Sequence, residues 1–112
     1  MYFMARLKIP PEPLEIKERI INIRLSLIAK GRCESVRWDN LAVWAFNLLP
    51  KYLWRYWRKE LKREGITWQE FLSILRYETK HIREWAFGDL PWRKLVNEII
   101  DSLEFELRRK KT

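Results

Sequence analysis

Few side chains in this sequence are of a type that makes or breaks bonds. There is one histidine, His81, and one cysteine, Cys33, so an intrachain disulfide is excluded and a thiolate metal site has too few ligands. Asp39, Asp89 and Asp101 are scattered, without the spacing of a nucleophile, a metal site or a phosphate loop. Glu12, Glu15 and Glu18 cluster at a helix start, where carboxylates suit the helix dipole better than catalysis. The expectation is a protein that is not an enzyme and uses no metal and no cofactor.

What the sequence has in excess is positive charge. Lys and Arg number 23 against 15 Asp and Glu, a formal net charge of +8. Such an excess speaks to partners and not to fold, and it favours nucleic acid or an anionic membrane surface. The competing explanation is a heat-adapted host, whose proteins are rich in Lys, Arg and Glu; the single Gln69 and the scarcity of Cys and Met fit a thermophile. The longest apolar run, residues 41–46 with Leu48 and Leu49, is far short of the roughly twenty residues that span a bilayer. No apolar leader with a small-residue cleavage site is visible, so the expected location is intracellular, in the cytoplasm, with no membrane partner.

These side chains have to be positioned by helices. With 47% apolar residues and 112 positions, the chain is expected to form a single domain, 1–112. The fold class expected is all-α, a compact bundle of five to six helices preceded by a short N-terminal extended arm. In that arm Phe3, Ala5, Leu7 and Ile9 alternate with Met4, Arg6 and Lys8, the period of a strand or extended segment, until Pro10, Pro11 and Pro13 end it. Residues 14–30 switch to helical spacing, with Ile16, Ile20, Ile23 and Leu27 as one stripe and Gly31 as the C-terminal cap. Ser35 can cap the next helix, which runs through Trp38, Leu41, Trp44, Leu48 and Leu49. It is apolar nearly all round, so it is expected to be the central, most buried helix, ended or kinked by Pro50. Residues 1–50 would then supply the arm and two core or dimer helices, and 52–108 the remainder.

The second half is more sharply punctuated. Residues 51–64 form a helix with Leu53, Trp57 and Leu61 on one side and Arg55, Arg58, Lys59, Lys62 and Arg63 on the rest, against only Glu60 and Glu64. Gly65 stops it, and Thr67-Trp68-Gln69-Glu70 is a capping box that starts the next. That helix reaches about Arg76, and a short one follows over 78–87, stopping at Gly88. Pro91 opens the last helix, whose buried stripe is Trp92, Leu95, Val96, Ile99, Leu103 and Leu107, with Arg108 to Lys111 favouring its C-terminal dipole.

Gly65, Ile66 and Thr67, then Gln69, Glu70, Phe71 and Leu75, then Tyr77, Ile82, Trp85, Gly88 and Pro91 fall in an ungapped order over residues 58–101. In that order the segment resembles the Cro/lambda-repressor class of helix-turn-helix DNA-binding domains. Leu72 stands where that family has a small residue and Arg76 where it commonly has glycine, which suggests a more open crossing or a longer first helix. The resemblance implies a small transcriptional regulator, a possible homodimer, that binds duplex DNA and reads its major groove with the helix at 78–87. Thr79, Lys80, Arg83 and Glu84 would face base edges, since Lys and Arg donate to guanine, Thr serves several bases and Glu accepts from cytosine. Tyr77, Ile82 and Trp85 would lie on the inner side. Arg55, Arg58, Lys59, Lys62 and Arg63, with His81, would contact phosphates; the plainer alternatives are a solvated helix face and an ordinary exposed histidine.

Two other readings compete. The arm, the first helix and the helix after Gly31 resemble a ribbon-helix-helix repressor, in which Arg6 and Lys8 would be the readers, although residues 14–30 are several too many for that family's first helix. A structural or interaction subunit of a nucleoprotein or viral assembly would also look like this. Of the seven tryptophans, Trp38, Trp44, Trp57, Trp85 and Trp92 fall at core spacing, whereas Trp54 and Trp68 lie off those stripes. That pair suits stacking on unpaired bases or a protein partner surface.

Overall fold

The computed structural model describes residues 7–32 and 36–111. Phe3, Met4, Ala5 and Arg6 of the expected arm, Cys33 and the expected Ser35 cap lie outside the described residues. Among the described residues there are six α-helices: α1 (Leu14–Ala29), α2 (Val36–Trp44), α3 (Leu48–Arg63), α4 (Trp68–Tyr77), α5 (Thr79–Ala86) and α6 (Trp92–Lys111). The protein is an all-α bundle, with no strand among the described residues.

The expected stop signals act through backbone geometry. Gly31 takes φ 69°, and the Arg32 N–H closes back on the Leu27 carbonyl at 2.8 Å, which satisfies an end of α1 that a β-carbon would strain. At the start of α4 the Thr67 hydroxyl accepts from the Glu70 N–H at 3.1 Å while the Glu70 carboxylate accepts from the Thr67 N–H at 3.0 Å. Both halves of the capping box are present.

The segment expected to be one central helix is two. It breaks at Phe46 and Asn47, both in the left-handed region at φ 62° and 49°, and not at Pro50. Pro50 is the third residue of α3, in the first turn, where a missing N–H leaves no helical bond unmade. Nor is this segment the most buried one: Ala42, Val43 and Leu49 are inside, but Leu41 is half exposed and Phe46 is 75% exposed. The centre is occupied instead by Leu53, Trp57 and Leu61 of α3, Phe71 and Leu75 of α4, Ile82 and Trp85 of α5, and the Leu95–Leu103 stripe of α6. α1 lies outside, with Ile20 as its one buried residue and Leu14, Leu25 and Ile28 open to water.

The described part of the arm, residues 7–13, has no regular structure and is tied down by aromatic side chains. Trp57 donates its indole N–H to the Lys8 carbonyl at 2.8 Å, Trp92 to that of Pro10 at 2.7 Å, and the Tyr52 hydroxyl to that of Pro11 at 2.6 Å. Trp85 adds a 2.8 Å bond to the Glu12 carboxylate. Buried indole N–H groups need acceptors. Here the arm supplies them, through two backbone carbonyls and the Glu12 carboxylate, and Leu7 seals the end of the core.

Candidate nucleic-acid interface

α3 sorts its charges cleanly. At about 100° per residue, Lys51, Arg55, Arg58 and Lys62 fall within roughly a 60° sector, flanked by Lys59 and Arg63. Leu49, Leu53, Trp57 and Leu61 take the opposite side and are buried. Glu60 of the helix and Glu64, its C-terminal cap, fall on that inner half and are half-buried. All six cations are exposed, and none has an ion-pair partner among the described residues. Five cations elsewhere are paired, Lys17 with Glu12, Arg24 with Asp39, Arg108 with Glu104, Arg109 with Glu106 and Lys110 with Glu70, while others such as Arg19, Arg93 and Lys94 stand singly without an ion pair among the described residues. The outer face of α3 is thus an uncompensated row of positive charge.

Beside that row lies an open groove of about 380 Å³, lined by Asn47, Lys51, Trp54, Arg55, Arg58 and Trp68. Trp54 comes from α3 and Trp68 from the first turn of α4, and the Gly65–Thr67 link brings them together. Their rings meet edge to face at 5.6 Å, and Trp54 rests on Phe71 at 5.4 Å. Both tryptophans are half-buried. The off-stripe pair is therefore joined to the cations in one concavity, a convergence that helical spacing cannot reveal because it spans two helices.

Two of the four side chains expected at base edges are placed differently. α5 is packed against α1, α2, α4 and α6. Thr79 accepts from the Trp44 indole at 3.0 Å and donates to the Arg76 carbonyl at 2.6 Å. Arg83 donates to the Asn40 side chain of α2 at 2.8 Å. Lys80 is exposed and Glu84 half-buried. Thr79 and Arg83 thus turn toward α2 and not outward, because α2 lies across the side of α5 that carries them. The turn before α5 also differs from the expected pattern. α4 runs on to Tyr77, leaving Glu78 alone between the helices at φ −94°, so Arg76 is under no positive-φ strain and the first helix is longer. Ile82 and Trp85 are buried as expected, but Tyr77 is 80% exposed, since Ile74 and Leu75 already fill the inner face of α4.

His81 is engaged as well, its Nδ1 lying 2.9 Å from the Glu78 carboxylate. Glu78, the one buried charged residue among those described, also accepts from the Ser102 hydroxyl at 2.8 Å. Glu78, His81 and Glu98 hold potential ligand atoms within 4.8 Å of one another. They are the group most able to take a cation, yet both Glu78 oxygens already have hydrogen-bond partners within the fold. Lys8, a reader in the ribbon-helix-helix reading, has its carbonyl bound by Trp57, and Pro10 and Pro11 have no N–H to offer a pairing strand.

Comparison of the chain with protein-family models, with curated proteins and with solved structures gives no match. No helix among the described residues is long and apolar enough to cross a membrane.

Proposed function

We propose that this protein binds nucleic acid, holding the phosphate backbone with the outer face of α3. The observation that carries the reading is the row of Lys51, Arg55, Arg58 and Lys62, flanked by Lys59 and Arg63, with no carboxylate among the described residues paired to any of them. An unneutralised row costs self-repulsion, and an anionic polymer relieves it by releasing its condensed counterions. Arg55 and Arg58 add planar donors suited to two phosphate oxygens at once. Contacts of this kind fix position and carry no sequence information.

A base-reading regulator that uses α5 finds weaker support, because two of its four reader side chains are hydrogen-bonded to α2. The test is fluorescence anisotropy with labelled oligonucleotides of unrelated sequence at low salt. Arg58→Ala with Lys62→Ala is expected to weaken every oligonucleotide alike, while Lys80→Ala changes little. Undiminished binding by the α3 double variant would overturn the proposal, and a sequence-selective loss on Lys80→Ala would return the reading role to α5.

A further inference from the structure

We infer that the groove between Trp54 and Trp68 is a seat for an unpaired base, which makes the protein selective for single-stranded nucleic acid. The inference rests on the phosphate-binding face of α3 and assigns the form of polymer that face takes. An open groove of about 380 Å³ brings two half-buried indoles together with Lys51, Arg55 and Arg58. That is the pairing single-strand sites require: an aromatic face for the base, which is flat and apolar, and cations one backbone step away for its phosphates. The base of a duplex is already stacked on both faces and cannot enter such a groove without leaving its neighbours.

The two indoles have separate roles. Trp54 is braced from behind by Phe71 at 5.4 Å, so it is a fixed platform. Trp68 meets it edge to face and forms the side wall, held where it is by the capping box at Thr67. Asn47, at the N-terminus of α3, places an amide on the same rim, able to donate to or accept from a base edge. Among the described tryptophans, Trp57, Trp85 and Trp92 are buried and spend their N–H groups on the arm, so they are closed to such a role.

The experiment compares four labelled polymers of about 15 nucleotides, within the range of known single-strand site sizes. They are oligothymidylate, oligouridylate, an abasic deoxyribose-phosphate strand and a duplex. Anisotropy and tryptophan fluorescence are read together. The expected result is that the two base-bearing strands bind at least about fivefold tighter than the abasic strand, the usual consequence of one stacked base. They should also quench tryptophan emission, with Trp68→Leu and Trp54→Leu removing both the advantage and the quench.

The comparison with the abasic strand uses the unaltered protein, so it decides the matter even where a variant folds poorly. Equal affinity for base-bearing and abasic strands, or a duplex bound as tightly as oligothymidylate, would overturn the groove's role while leaving the α3 phosphate face standing. Binding of none of the four would remove both.

Discussion

If the α3 face works by displacing counterions, the number of cations in it fixes how steeply binding falls with salt. From Lys51 to Lys62 the row advances eleven residues, about 16 Å at 1.5 Å per residue, and six cations project from it. Were each to neutralise one phosphate, the log–log slope of affinity against salt would be about −4 on a single strand and about −5 on a duplex. Between 50 and 200 mM salt the single-strand affinity should then fall by roughly 300-fold. Replacing Arg58 and Lys62 by alanine removes two contacts, so the single-strand slope should become shallower by about 1.4. Both sites are exposed and lack ion pairs among the described residues, so the fold should be unaffected to within about 0.5 kcal/mol, which a thermal melt verifies. The assay is anisotropy titration at five or more salt concentrations for both proteins. A wild-type slope shallower than about −2, or a double variant with the parental slope, would refute the assignment of these side chains to phosphates.

Two further predictions concern stability. Trp92→Phe leaves the Pro10 carbonyl without its 2.7 Å donor in a buried setting, which costs about 1–3 kcal/mol. For a chain of this length that is a fall in Tm of about 4–12 °C by calorimetry, and no change would mean the arm is not seated in solution. Glu70 is held below the ordinary carboxylate value of 4.5, chiefly by its hydrogen bond with Lys110 and then by the Thr67 N–H. Its charged form is therefore favoured by folding, so its contribution is complete above about pH 4.5 and disappears as pH falls through the lowered value. Glu70→Gln should lower Tm at neutral pH and converge with wild type in acid; a difference constant across pH would count against the ion pair.

Much of the fold is legible where a local rule acts alone. Gly31, Gly65 and Gly88 all adopt positive φ, and the Thr67 box forms as its spacing requires. The α3 row was equally readable, because i, i+4 and i+7 spacing fixes which residues share a face. The break at Phe46 was not, because a phenylalanine in the left-handed region violates local preference and only its surroundings can impose it. Proline at position 50 looked like the stronger breaker, yet its effect depends on how many residues precede it in the helix. The fate of Thr79 and Arg83 was invisible for a different reason. Their spacing places them on one side of α5, but only tertiary structure decides that α2 covers that side. The meeting of Trp54 and Trp68 is likewise a property of two helices and their link.

The arm has a bearing on how the molecule comes into being. Its Pro10 carbonyl waits for an indole 82 positions further along the chain, and the Glu12 carboxylate for one 73 positions away. During synthesis the arm can therefore be held only through the Tyr52 and Trp57 bonds of α3 until α6 has cleared the ribosome, while α3 and α4, joined by a four-residue link, can already associate. Full seating of the arm should be a late event in maturation, and a ribosome stalled before Trp92 would display an arm that lacks its Pro10 anchor and is more open to proteases.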